Sequence, residues 1–360
     1  MQNVKEAQSP NETLNSATTL DIARLAKVSV GTVSRVVNNE PRVDEALRTR
    51  VLKAIEQLGY VHTPKKRRAV ATKIENALNT VIFYTPANRN NVPGNAYFYQ
   101  ILNGVKQECL ENDIKLLFES LDDNVSSIVR LRSEIESGYA DAMILTNFGD
   151  KQLLAEVVGL GNPLALIDPF SPVGIAADIA MADSFGGGML ATEHLINLGH
   201  RQIALIKGMG RYSMERRLDG YRAALAQSNI EYNPDLVIHT YLTREDGEAA
   251  VKQLLSQKIK FTAIFCANDP VAFGAIRALN RAGLRVPENV SVVGFDDTEP
   301  AANFLPTLTS VNSNLEGKGS LAVRMLIERV KRPNLPFVSA FPQVRLIKRE
   351  STAPCTALAL

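Results

Sequence analysis

Arg35 is the side chain in the first sixty residues best suited to reading a base edge, because its forked donors match guanine O6 and N7. It lies about one turn beyond Val30, Gly31 and Thr32, the outward-aimed start of a short helical pattern for which Ser29 is a natural N-cap. Thr19, Thr32, Ser34 and Asn38 are short polar groups suited to phosphate oxygens, which set register on a duplex rather than sequence. The other chemistry-bearing sets fall short of a catalytic centre. Gly208-Met209-Gly210 follows an apolar run as a dinucleotide loop would, yet Ser213 stands where that fingerprint needs Gly or Ala. Gly317-Lys318-Gly319-Ser320 lacks the upstream glycine and the Lys-Ser/Thr pair of a P-loop. His194 and His200 are about 240° apart around a helix and cannot share a metal. Cys109, Cys266 and Cys355 show no metal spacing and cannot all pair, which fits a reducing cytoplasm. The expectation is a binding protein with no catalytic residues, no cofactor and no metal.

Those groups need elements to hold them. Three short helical patterns occupy 20–58. Leu20, Ala23 and Ala26 share a face of the first, and Val33, Val36 and Val37 a face of the second. The third starts at Asp44, carries Leu47, Val51, Ala54, Ile55 and Leu58, and is stopped by Gly59. Two helices joined by a tight turn at Lys27–Val28 and braced by a third match helix-turn-helix arithmetic, although a generic three-helix protein-binding module has the same pattern. Residues 1–75 hold 13 Lys/Arg against 8 Asp/Glu, whereas the remainder holds 27 against 30. A basic head on a mildly acidic body points to a polyanion partner for the head alone.

From Asn79 onward, short β-rich runs alternate with amphipathic stretches at 97–112, 184–198, 212–227, 246–256 and 270–282. That alternation predicts an α/β fold of parallel sheets with helices on both faces. Seven or more such units exceed one comfortable sheet, so two lobes are expected, with their cleft as the default ligand site. Gly186–Gly188 opens a helix and reads either as an anion site or as an interlobe crossover. No apolar run approaches the ~18 residues of a membrane span.

Several stretches carry a family resemblance. Residues 18–61, above all VSVGTVSRVVN (Val28 to Asn38), resemble the DNA-binding head of the lac-repressor (LacI/GalR) family of bacterial transcription regulators. NAYFYQILNGV, EHLINLGHRQIALIKG, ERRLDGYRAAL, TAIFCANDPVAFGAIRAL, VPENVSVVGFDDT and LPTLTSV resemble, in order, that family's effector core.

The resemblance implies a helix-turn-helix head on a two-lobed core like that of the periplasmic binding proteins. A polar arm (1–17), the head (18–61), a hinge linker (62–78), the core (79–350, with crossovers near 177, 306 and 335) and a tail (351–360) follow in order. It implies a pseudo-palindromic double-stranded DNA operator, contacted through Thr19, Leu20, Ser29, Val30, Gly31, Thr32, Ser34, Arg35, Asn38, Arg67, Arg68 and Ala69. A small-molecule effector, a sugar or related polyol ahead of a nucleoside, is then expected against Tyr97, Phe98, Asp168, Arg217, Asn268 and Asp296. The expected assembly is a homodimer without a membrane role, since the tail is too short for a tetramerising helix. The chain departs from the family pattern at the turn, where Lys27 replaces a frequent glycine. It departs again in the hinge, where no leucine occurs near Ala69–Val70 and the Lys65–Arg68 run is left to hold phosphates. The alternative reading is a two-lobed solute-binding receptor without a DNA role.

Overall fold

The computed structural model describes residues 19–37, 43–58, 78–87 and 95–356. The chain divides into two compact units, residues 1–73 and 74–360.

In the first unit, α1 (Thr19–Ala26), α2 (Val30–Val37) and α3 (Glu45–Leu58) close on Ile22, Ala23, Ala26, Val33, Val36, Val51 and Ala54. Ile22, fully buried, is a core position that the expected helix face omitted. Lys27 takes φ +50°, so the turn accepts the left-handed strain that glycine would have avoided. The surrounding bonds over-determine it. Val28 N–H donates to Ala23 O at 3.0 Å and Lys27 N–H to Arg24 O at 3.3 Å, the paired closure of a left-handed helix end. Arg50 reaches across from α3 to the carbonyls of Ala26 (2.7 Å) and Lys27 (3.1 Å). Asp44 caps α3 by accepting from the N–H groups of Ala46 and Leu47.

The second unit has two α/β lobes. The first holds β1 (Thr80–Pro86), α4 (Ala96–Glu111), β2 (Lys115–Leu121), α5 (Ile128–Glu136), β3 (Ala142–Thr146), α6 (Lys151–Gly159), β4 (Leu164–Ile167) and β5 (Asp178–Ala180). The chain then builds α7 (Ser184–Asn197), β6 (Ile203–Gly208), α8 (Tyr212–Gln227), β7 (Val237–Thr240), α9 (Arg244–Ser256), β8 (Ala263–Cys266), α10 (Asp269–Arg281), β9 (Ser291–Asp296), α11 (Glu299–Asn303) and β10 (Thr309–Asn312) in the second lobe. It returns to the first lobe for α12 (Leu315–Lys331) and β11 (Ser339–Ala340), and ends in the second with β12 (Arg345–Ile347). The sheet orders are β11-β5-β4-β3-β1-β2 and β12-β10-β9-β8-β6-β7. Paired strands are parallel except β12, which runs antiparallel on β10.

The crossovers lie at 181–183, 313–314 and 341–344 rather than near 177, 306 and 335. The displacement has one cause: β5, β10 and β11 are edge or near-edge strands of two to four residues, and each completes the sheet of the lobe the chain is leaving. Nor are residues 351–355 a free tail. Ser351 is fully buried, Val292 N–H donates to its carbonyl at 2.8 Å, and Cys355 N–H donates to Leu198 O at 2.7 Å. His200 is spent in fastening this strap, between Thr262 Oγ1 (2.9 Å), Ser291 Oγ (3.0 Å) and Ala353 O (3.2 Å).

Three helix pairs cross where glycines let backbones touch. A Cβ on Gly104 would lie 1.9 Å from Glu316 O and one on Gly319 2.2 Å from Ile101 O, so Gly319, beside Lys318, serves the α4–α12 crossing. Gly188 and Gly220 do the same for α7 and α8, and Gly247 and Gly274 for α9 and α10. Within Gly186–Gly188, Gly188 serves helix packing, Gly187 faces the Phe295 ring, and the Gly186 N–H is already taken by the Asp183 carboxylate at 2.9 Å. No described helix is long and apolar enough to cross a membrane.

Candidate functional site

In parallel α/β sheets the carboxyl ends of the strands and the starts of the following helices gather at one edge, and ligands bind there. Here that edge of each lobe faces the other across a cleft of about 720 Å³. All six residues expected to meet a small ligand, Tyr97, Phe98, Asp168, Arg217, Asn268 and Asp296, line it. A smaller concavity of about 380 Å³ lined by Tyr221 and Tyr232 gathers none of them.

Asp168 follows β4 directly and holds φ +46°, a conformation that a short acidic side chain tolerates better than most. Its Oδ2 accepts from the Tyr97 hydroxyl at 2.5 Å and from the Lys318 ammonium. Lys318, on α12, is buried and its Nζ sits 5.4 Å from the centre of the Tyr97 ring. Burial and the carboxylates of Asp168 and Asp296 hold the Tyr97 hydroxyl well above its ordinary pKa, so it remains a neutral donor to Asp168. Phe98 packs edge-on to Tyr97 with ring centroids 5.2 Å apart.

The opposite wall is built on β9 and α8. Asp296, the last residue of β9, has φ +99° and accepts from Ser313 Oγ at 3.1 Å. The Arg217 guanidinium lies 3.5 Å from the centre of the Phe295 ring and donates to Ala267 O, but its Nη2 stays 3.8 Å from Asp296 Oδ1. Its Nε is buried without a partner. Burial lowers the Arg217 pKa against the pull of Asp296, and raises that of Asp296 against the pull of Arg217 and Lys318. This wall has unspent donor capacity.

Asn268 plays a double part. Its Oδ1 caps α10 through Val271 N–H (2.9 Å) and its Nδ2 donates to Leu242 O (3.1 Å), so only one N–H and one lone pair remain for a further partner. Behind it, Asp269 is fully buried and accepts from Thr298 N–H (2.6 Å), Thr298 Oγ1 (2.8 Å) and Ser310 Oγ (2.6 Å). Burial, reinforced by Asp296, pushes its pKa up to about 7.

Sequence reasoning missed Asn147, Arg211 and Thr298, which also line the cleft. Asn147 and Arg211 follow β3 and β6, and position at a strand's carboxyl end was the one signal that could have found them. It weighed Lys318 only as a failed phosphate loop.

In the first unit, Ser29 caps α2 as expected, accepting from Thr32 N–H at 3.1 Å, and its hydroxyl meets that of Thr32 at 2.9 Å. Val30, Gly31 and Arg35 are exposed and Thr32 is half-buried. A Cβ on Gly31 would meet nothing closer than Ser29 Oγ at 3.6 Å, so no packing inside the unit requires a glycine there. The side chains of Thr19, Leu20, Ser34 and Val37, and residues Asn38, Gly59, Lys65, Lys66, Arg67, Arg68, Ala69 and Val70, lie outside the described set.

Comparison with known proteins matches residues 18–63 to the bacterial regulatory proteins of the lacI family and residues 192–352 to the periplasmic binding protein-like domain. The ribose operon repressor of Haemophilus influenzae is 31% identical over 337 residues, which span 93% of this chain and 98% of that protein. The transcriptional repressor PurR of Aliivibrio salmonicida is 31% identical over 88% of this chain and 92% of its own length. Among solved structures, a complex of the transcriptional regulator CelR with cellobiose superposes with a TM-score of 0.70 at 31% identity, covering 93% of this chain and 99% of that one. A lac repressor dimer bound to operator and the anti-inducer ONPF gives 0.67 at 26% identity, covering 94% and 100%.

Proposed function

The chain belongs to the LacI family of bacterial regulatory proteins, and from that premise we propose that it is a cytoplasmic, homodimeric repressor whose operator affinity is set by a neutral sugar or polyol in the interlobe cleft. The observation that carries the effector class is the pairing of two carboxylates with two buried cations on facing walls. Carboxylates accept from hydroxyl groups, a guanidinium donates to ring or hydroxyl oxygens, and Tyr97 with Phe98 offers apolar surface to a sugar face. The names of relatives add to this reading: a ribose operon repressor and a regulator solved with cellobiose. Relatives named PurR keep a nucleobase as the second reading, since a flat ring would stack equally on the aromatics.

On the DNA side, two copies of α2 would enter successive major grooves of a pseudo-palindrome. Neither Val30 nor Gly31 can hydrogen-bond a base edge, so direct readout rests on Arg35, with Val30 open to a thymine methyl. Thr32 and Asn38 are assigned to phosphates, as are Thr19, Ser34, Arg67 and Arg68. The effector acts only through its different affinities for two arrangements of the lobes. Selection of random duplex DNA by the full-length protein at moderate salt tests the reading. A two-fold motif is expected, with Arg35→Ala relaxing its discrimination and Asn38→Ala weakening all sequences alike. Enrichment of no motif, with or without a sugar and nucleoside panel, would refute it.

A further inference from the structure

The loops that follow β3, β4 and β6 meet across the cleft in a way that ligand recognition does not require. Arg211, which precedes α8 in the second lobe, donates from Nη1 to Asn147 Oδ1 of the first lobe at 2.7 Å. Its guanidinium carbon lies 4.0 Å from the centre of the Phe170 ring, also in the first lobe. The next residue, Tyr212, donates its backbone N–H to Phe170 O at 2.8 Å and packs against the first lobe's hydrophobic cluster. Phe170 can reach this position because residue 149 is glycine: a Cβ there would come within 2.5 Å of the ring. All four contacts join groups of the chain itself.

The Arg211 bond also sets a direction. A guanidinium has only donors, so Asn147 must present its oxygen to it and its Nδ2 away from it. That Nδ2 donates to the Tyr97 hydroxyl at 3.1 Å, and Tyr97 in turn donates to Asp168 Oδ2. The donors thus run one way, from Arg211 through Asn147 and Tyr97 to Asp168. Oδ2 of Asp168 is occupied by Tyr97 and Lys318, which leaves Oδ1 to accept from whatever enters the cleft.

We propose that Arg211 is a positioning residue that latches the two lobes together through Asn147 and Phe170 and fixes the direction of the relay ending on Asp168. The proposal rests on the cleft reading only in setting Asp168 against a ligand hydroxyl; the latch itself needs no ligand. Amide hydrogen exchange of Tyr212 in the full-length protein, read without any added small molecule, tests it. A charge-assisted bond shared with an aromatic face should slow lobe opening enough that Arg211→Ala and Asn147→Ala each speed Tyr212 exchange at least about tenfold. Because both variants break the same bond, Arg211→Ala/Asn147→Ala should exchange no faster than the faster single variant. The Ala267 amide, bonded to Ile206 O inside the second lobe at 2.8 Å, should stay protected and certifies the fold. Arg211→Gln, which keeps the stem but not the charge, serves if the alanine variant does not fold. Unchanged Tyr212 exchange in both single variants, or effects that multiply in the double variant, would overturn the latch while leaving sugar binding to be judged separately.

Discussion

The two walls of the cleft are built to one plan and finished differently. Each places an aspartate at the carboxyl end of a strand, Asp168 after β4 and Asp296 in β9, with positive φ. Each sets a buried cation beside it, from a helix that crosses its neighbour at a glycine: Lys318 on α12 near Gly104, and Arg217 on α8, whose carbonyl faces Gly188. On the Asp168 side the pair is in direct contact and Tyr97 completes it. On the Asp296 side the cation stands 3.8 Å away with a buried Nε unpartnered. An unmet buried donor is costly, and a ligand atom that meets it recovers that free energy on binding. On the function proposed above, the finished wall holds the first lobe in shape, and the unfinished wall is where an effector would gain affinity.

Four substitutions break or sharpen this contrast, in falling order of effect. Arg217→Met should weaken effector binding by about a hundredfold or more in titration calorimetry, since it removes donors the ligand would satisfy, with a smaller change in stability. Lys318→Met should do the reverse, lowering stability by about 3 kcal/mol in urea unfolding, because it strands Asp168 in a buried contact pair. The glycines come next. Gly188→Ala and Gly104→Ala should each destabilise by about 1–3 kcal/mol, but only Gly188→Ala, which presses on the Arg217 backbone, should also loosen the effector.

A further effect is pH-dependent and separates the walls by what lies behind them. Lys318 backs Asp168, whereas a further carboxyl, Asp269, lies behind Asp296 and interacts with it. Its pKa, pushed up to about 7 by burial, exceeds the unfolded value of about 3.9. The folded state therefore holds the proton more tightly, and this contribution is full below about pH 4 and lost as pH rises toward 7. Compared with Asp269→Asn, the wild type should lose stability over that window by up to about 1.4 kcal/mol per pH unit, readable from urea midpoints at pH 5 and 7. A constant difference between the two proteins would remove Asp269 from the account.

The cleft residues were legible where a family-like motif surrounded them, as in RLDGY around Arg217 and GFDDT around Asp296. Lys318 is hidden in the sequence because GKGS resembles a phosphate loop, whereas Gly319 serves a helix crossing and the lysine a buried carboxylate. Asn147 and Arg211 stand in loops with no composition signal, and their partnership exists only once two loops 64 residues apart in the chain meet across the cleft. Core strands such as β4 coincide with short apolar runs, Leu164–Ile167 among them, that are plain in the sequence. β11, with two residues, and β12, exposed or half-buried along its length, had no pattern to read, and the crossover positions moved with them.

The central claim is that a neutral sugar binds against Arg217 and thereby changes grip on DNA. The direct measurement is the affinity of the full-length protein for its selected operator, with and without a panel of pentoses, hexoses and disaccharides, in wild type and Arg217→Met. The account predicts that at least one sugar shifts wild-type affinity by about tenfold or more, within the usual range of coupling between sites, and leaves the variant unmoved. A wild type indifferent to every sugar, or a variant that responds as the wild type does, would contradict it.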